Sequence, residues 1–169
     1  GGTGAGDPSV WALGGWARAG GRGLALAGDR RGGARGGKLG LPEVGLGLLA
    51  AGAGLFRRPG RVGYGKAMEM TITADPITAE EAADHGLVAR LTEPGQALQE
   101  ALALAERVAR NAPLAVAASK EVIRATQGAT EEELWAIQRP LQEKVFASDD
   151  AREGPRAFAE KRPPEWSGT

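Results

Sequence analysis

The chain has no cysteine among its 169 residues, so disulfides and thiolate chemistry are excluded. It has one histidine, and a lone His without Cys leaves no ligand set for a zinc site of the usual kind. No stretch approaches the roughly 20 consecutive apolar residues that span a bilayer. The first ten residues, GGTGAGDPSV, lack the basic and apolar regions of a secretory signal. They also lack an initiator Met, so a processed or truncated start is expected. Neither sign of charge dominates, with Lys+Arg and Asp+Glu at 21 each. That balance argues against nucleic acid or an acidic membrane surface as a partner. The missing cysteine fits a reducing, cytoplasmic setting.

What is present divides into two textures. Hydrophobic residues make up 42%, enough for a core in one ordinary domain or part of a larger one. Glycine is uneven: 22 of the 27 lie in residues 1–65. Because Gly costs about 1 kcal/mol in a helix interior relative to Ala, residues 1–37 are poor at forming regular structure alone. They read either as a flexible segment or as backbone kept bare for close approach to a ligand.

From about residue 66 the signals are helical. Thr78 to Glu81 has capping-box spacing, and Gly86 is placed to stop that helix. Leu87–Leu91 is short and could be extended. Residues 96–110 put Leu98, Ala101, Leu102, Ala105 and Val108 on one helical face. Asn111 can end that helix, and Pro113 can open the next, through about Gln127. Thr130 to Glu133 is a second capping box, opening a helix that carries Leu134, Trp135, Ile137, Leu141, Val145 and Phe146. A last helix follows Ser148 and ends before Pro163 and Pro164. The expected division is therefore a Gly-rich region, 1–65, and a helical subdomain, 66–169. Short amphipathic helices of this kind need a partner surface.

Three stretches in fixed order resemble the crotonase (enoyl-CoA hydratase/isomerase) family. Lys38-Leu39-Gly40-Leu41-Pro42-Glu43-Val44 and the glycine-rich turn after it are similar to the family's F-G-x-P-E segment. Residues 67–88, AMEMTITADPITAEEAADHGLV, resemble its A-x-E-x-x-x-T-G-x-x-I-x-A-x-E-A-x-x-x-G-L-V. Residues 146–161, FASDDAREGPRAFAEK, resemble its C-terminal F-x-S-x-D-x-x-E-G-x-x-A-F-x-E-K. Upstream, Gly15, Ala17, Gly20, Gly21, Leu24, Ala25, Leu26, Ala27 and Asp29 keep register with N-G-x-A-L-G-G-G-x-E-L-A-L-A-C-D. Gly14, Arg18, Ala19, Gly23 and Gly28 depart from it.

The resemblance implies an α/β fold: the C-terminal part of the ClpP/crotonase-like ββα spiral, with a mainly helical C-terminal subdomain. It implies an acyl-CoA thioester as substrate, with coenzyme A as part of that substrate and no separate cofactor or metal. The enolate oxyanion would be held by two backbone N–H donors, one of them from Gly20, because preorganised donors stabilise charge as it develops. Glu43 matches the family's catalytic glutamate and would move protons at carbon. Gly23 stands where hydratases carry their first glutamate, so two-carboxylate hydration loses a partner while one-base double-bond isomerisation keeps its chemistry. Lys161 matches a lysine that reaches toward the CoA phosphates. Phe158 reads as core or as acyl-pocket wall. Family members associate through their C-terminal helices, so a homotrimer or hexamer is expected.

Other residues take plainer readings. His85, next to Gly86, is a surface histidine at a helix end. Arg57 and Arg58 read as surface or interface charges. The run around Gly52 and Gly54 lacks the strand and acidic residue of a dinucleotide fingerprint. The alternative to an enzyme is a non-catalytic helical oligomerisation module with a Gly-rich head.

Overall fold

Strands form in the glycine-rich region where neighbouring strands complete their hydrogen bonds. The computed structural model describes residues 10–13, 30–50 and 54–169. In chain order the strands are β1 (Val10–Leu13), β2 (Arg30–Ala34), β3 (Lys38–Leu39), β4 (Ile77–Thr78) and β5 (Arg90–Thr92). The helices are α1 (Gly54–Arg57), α2 (Pro59–Val62), α3 (Tyr64–Ile72), α4 (Ala79–Asp84), α5 (Ala97–Ala109), α6 (Pro113–Ala125), α7 (Glu131–Ala147) and α8 (Asp149–Glu160). A 3₁₀ turn covers Glu43–Leu46.

β1, β2 and β5 make a parallel sheet in the order β1-β2-β5. β2 reads Arg-Arg-Gly-Gly-Ala, a poor strand by propensity. Its pairing on both sides (Val10 opposite Arg30, Gly32 opposite Arg90) overrides that preference. The expectation that residues 1–37 resist regular structure is thus corrected at β1 and β2. The extended segment expected at Leu87–Leu91 lies slightly later, at Arg90–Thr92. β3 and β4 form a separate antiparallel pair, with Lys38 opposite Thr78 and Leu39 opposite Ile77.

The described residues fall into two compact units, one ending at Ala105 and one running from Glu106 to Thr169. The compositional break at residue 65 lies inside the first. The core of that unit gathers Val62, Ala67, Met70, Ile77, Ala82, Leu87 and Val88. The Thr78 capping box fixes α4 at one end: the Glu81 N–H donates to Thr78 Oγ1 at 3.1 Å and the Thr78 N–H to Glu81 Oε2 at 2.8 Å. Gly86, at φ 73°, takes the left-handed conformation that ends the helix. Its turn lets the Leu87 and Val88 N–H groups return to the Ala82 carbonyl, which drives both side chains into the core.

In α5 the expected face is corrected in part: Leu98 and Leu102 are exposed, whereas Ala101, Ala105 and Val108 of that face are half-buried, beside buried Ala97 and half-buried Leu104. Leucines and alanines on adjacent stripes give this helix two apolar faces, and periodicity does not choose between them. In α7, Leu134, Ile137, Leu141 and Val145 form the packed stripe, and Trp135 and Phe146 lie outside it. α7 starts at the expected Thr130–Glu133 capping box. α8 starts at Ser148, whose Oγ accepts the Ala151 N–H at 3.1 Å.

Candidate active site

The turn that carries Glu43 is anchored on both sides. Before it, β3 is held by β4, and Gly40 lies so close to the next connection that a Cβ there would be 2.8 Å from Pro76 Cα. Leu41 is almost fully buried, and its side chain packs where a Cβ on Gly54 would stand 3.4 Å away. That contact brings the start of α1 against the Glu43 turn. Gly47 closes the 3₁₀ turn with φ 71°, and the Leu48 N–H donates to the Glu43 carbonyl at 2.9 Å. The backbone of Glu43 is therefore held by local bonds and by packing of its neighbours.

The Glu43 side chain is half-buried, and its Oε2 is shielded from solvent without a hydrogen-bond partner among the described residues. Arg58 stands at the joint between α1 and α2. The expectation of a surface charge is corrected here: Arg58 is only 2% exposed, and its Nε and Nη1 are buried without partners among the described residues. Its backbone is fixed by the bond from its N–H to the Gly54 carbonyl and by the Arg61 and Val62 N–H groups donating to its own carbonyl. Burial pushes the guanidinium below its ordinary pKa, and the Glu43 carboxylate opposes that shift. Nothing in the local sequence marks Arg58, because its burial follows from where the α1–α2 joint packs.

Gly20 and Gly23 lie outside the described residues. Phe158 and Lys161 belong to the second unit, where α8 ends. Phe158 is 87% exposed, which overturns the core reading and leaves the pocket-wall reading open. Lys161 is exposed and caps α8 with φ 54°, a left-handed conformation uncommon outside glycine. It is held there by its N–H on the Phe158 carbonyl at 3.2 Å and by the Arg162 N–H on the Ala157 carbonyl at 3.1 Å. Arg162 in turn grips Glu153 at 2.5 and 2.9 Å. That pair, with the Glu165 N–H donating to the same carboxylate, holds Glu153 down at about 2.

The residues after Lys161 fold back as a strap. The Trp166 indole donates to the Arg110 carbonyl at 2.7 Å, and its ring lies against Gly154. Asp150 accepts from the Ser167 N–H at 2.7 Å, from Ser167 Oγ at 3.2 Å and from the Gly168 N–H at 3.2 Å. Sequence reading missed this buried acid, since Ser148-Asp149-Asp150 looks like an ordinary helix start. Among the described residues, no group of three or more His, Cys, Asp or Glu is placed to hold a metal. No described helix is long and apolar enough to cross a membrane.

Residues 6–169 match the family described as enoyl-CoA hydratase/isomerase. The chain belongs to that family. It is 39% identical to carnitinyl-CoA dehydratase of Proteus mirabilis over 165 residues, covering 95% of this chain and 63% of the relative. It is 40% identical to enoyl-CoA hydratase EchA19 of Mycobacterium tuberculosis over 157 residues, covering 93% and 59%. Among solved structures, enoyl-CoA hydratase EchA1 from Mycobacterium marinum superposes with a TM-score of 0.93 at 48% identity. That match covers 96% of this chain and 65% of the other. An enoyl-CoA hydratase from Mycobacterium tuberculosis H37Rv gives 0.92 at 47% identity, with the same coverage. The chain thus spans less than two thirds of the length of these relatives. The fold is the α/β fold of the crotonases, as the ordered motifs implied.

Proposed function

We propose that this chain is the C-terminal portion of an enzyme acting on acyl-CoA thioesters, with Glu43 moving protons on the acyl chain. One observation carries the reading. The glutamate in the family's motif position sits on a doubly anchored turn, with a carboxylate oxygen withdrawn from water and not engaged by donors among the described residues. Such a carboxylate is positioned rather than solvated, as general acid–base catalysis requires. The Gly20 N–H serves as one oxyanion donor, and Gly23 supplies no carboxylate. Glu43 alone is sufficient for isomerisation, taking a proton from C2 of a 3-enoyl thioester and returning it at C4.

Phe158 and Lys161 form the substrate-facing end of α8, Phe158 as acyl-pocket wall and Lys161 toward the CoA phosphates. Two observations favour this: the exposure of the Phe158 ring, and the left-handed backbone at Lys161, a kind of local strain that persists where structure over-determines it, often at functional sites. Coenzyme A enters as part of the substrate, with no resident cofactor. The working form is a cytoplasmic homotrimer or hexamer.

The test is turnover of crotonyl-CoA and of a 3-enoyl-CoA by the purified chain, with Glu43→Gln as control. Loss of at least about 100-fold in the variant is expected for a proton-transferring group. Equal activity in both proteins would refute the role of Glu43.

A second reading, a helical oligomerisation module without catalysis, is favoured by the large apolar side chains left exposed in the second unit. Phe146 is 70% exposed and flanks an open apolar groove between α6 and α7, lined by Ala115, Val122, Leu141 and Val145. Self-association without turnover of either substrate would favour this reading.

A further inference from the structure

The connection from α3 to β4 holds a backbone that its residue type disfavours. Ala74 has φ 61°, and among the described residues only it and Lys161 combine a side chain with a left-handed backbone. That conformation crowds the Cβ of an L-residue against the following carbonyl oxygen, and a helix end that needs it usually takes glycine. Ala74 keeps the crowding and adds a methyl. The methyl faces the turn that carries Glu43: it is 3.5 Å from where a Cβ on Gly45 would stand, an ordinary contact distance. Two residues on, Pro76 Cα is 2.8 Å from where a Cβ on Gly40 would stand, so backbone meets backbone there. One short connection therefore touches the loop on both sides of Glu43. The connection is itself pinned. The Thr73 N–H and hydroxyl both donate to the Glu69 carbonyl, at 3.1 and 2.9 Å, and the Asp75 N–H donates to Thr73 Oγ1 at 3.2 Å. Beyond Pro76, Ile77 is buried in the core and pairs with Leu39. Backbone strain persists where its surroundings over-determine it in this way.

Resting on the reading of Glu43 above, we propose that Ala74 is a positioning residue for Glu43. Its methyl, held out by the left-handed backbone, limits how far the Gly45 side of the turn can recede, while Pro76 limits the Gly40 side. Glycine at position 74 would relieve the strain but let the turn move inward by up to the depth of a methyl group. The Glu43 carboxylate would then lose its fixed distance to the reacting carbon, and a misplacement of about 1 Å can cost about 100-fold in rate. The strain at Ala74 thus works against folding and in favour of the position of Glu43, so substitution separates the two.

Ala74→Gly in the whole chain tests that separation. Glycine adopts positive φ without the Cβ penalty, so the melting temperature should equal or exceed that of the wild type. With a 3-enoyl-CoA as substrate, KM should be unchanged while kcat falls by about 10-fold, part of the loss that a 1 Å misplacement can give. Ala74→Asn restores a Cβ in a residue that tolerates this backbone, and should recover kcat. In a Glu43→Gln background, Ala74→Gly should lower the residual rate no further, because Ala74 acts through that carboxylate. Wild-type kcat in Ala74→Gly, with Glu43→Gln impaired, overturns the role of Ala74 and leaves that of Glu43 standing. A kcat that falls only together with the melting temperature, or a further loss in the Glu43→Gln background, does the same. Full activity of Glu43→Gln, or no turnover by the wild type, overturns the reading of Glu43 and this inference with it.

Discussion

Asp150→Ala measures what holds the C-terminal strap. Asp150 is 4% exposed and accepts from three donors, the Ser167 N–H, the Ser167 hydroxyl and the Gly168 N–H. A hydrogen bond to a charged acceptor contributes about 1.5–3 kcal/mol. The three do not add in full, because Ser167 is exposed and its donors can rehydrate once released. The half-buried Gly168 N–H bears more of the loss. Asp150 also lies in the first turn of α8, where a negative charge contributes about 0.3–1 kcal/mol. The expected destabilisation is about 3 kcal/mol for Ala and about 1 kcal/mol for Asn, which keeps one acceptor oxygen. Urea denaturation followed by far-UV circular dichroism reads the global term. Trp166 fluorescence, isolated by subtracting a Trp166→Phe protein, reads release of its indole from the Arg110 carbonyl. A loss below about 0.5 kcal/mol, the range of ordinary surface substitutions, would refute the claim that Asp150 organises the strap.

Two further outcomes follow from the same geometry. Gly40→Ala places a Cβ 2.8 Å from Pro76 Cα, so backbone must move; overpacking of this kind costs about 1–3 kcal/mol. Because Gly40 leads into the Glu43 turn, both the melting temperature and the turnover proposed for Glu43 should fall, and wild-type values for both would show that the turn is not clamped there. The Glu153 carboxyl, held at about 2 by Arg162 and the Glu165 N–H against an ordinary 4.5, gives a pH dependence. Its folded pKa lies below its unfolded one, so its contribution is complete above about 4.5 and is lost as pH falls toward 2. Thermal melts across that window should show a loss that Glu153→Gln abolishes, and identical profiles for the two proteins would exclude Glu153 as its source.

The parts legible in the sequence were those decided within a few residues. Both capping boxes lie where Thr78 and Thr130 put them, because a side-chain oxygen three residues from an N–H needs no tertiary help. Gly86 ends α4 because only the left-handed conformation brings the Leu87 N–H back to Ala82. The ordered motifs from Lys38 to Lys161 carried the family and its fold, and they marked Glu43 before any geometry was known.

Packing decided the rest. α5 had two apolar stripes, and its neighbours selected Ala97 and Leu104 over Leu98 and Leu102. Phe158 has the chemistry of a core residue yet stands exposed, because the inner face of α8 is taken by Asp150, Gly154, Ala157 and the returning strap. β2 is a strand because β1 and β5 complete its ladder, despite its glycines. The sequence by itself determined helix ends, turn glycines and the motif glutamate, since these depend on short-range hydrogen bonds and backbone sterics. Only the tertiary structure decided that Arg58 is buried, because burial is set by surfaces that distant segments bring together.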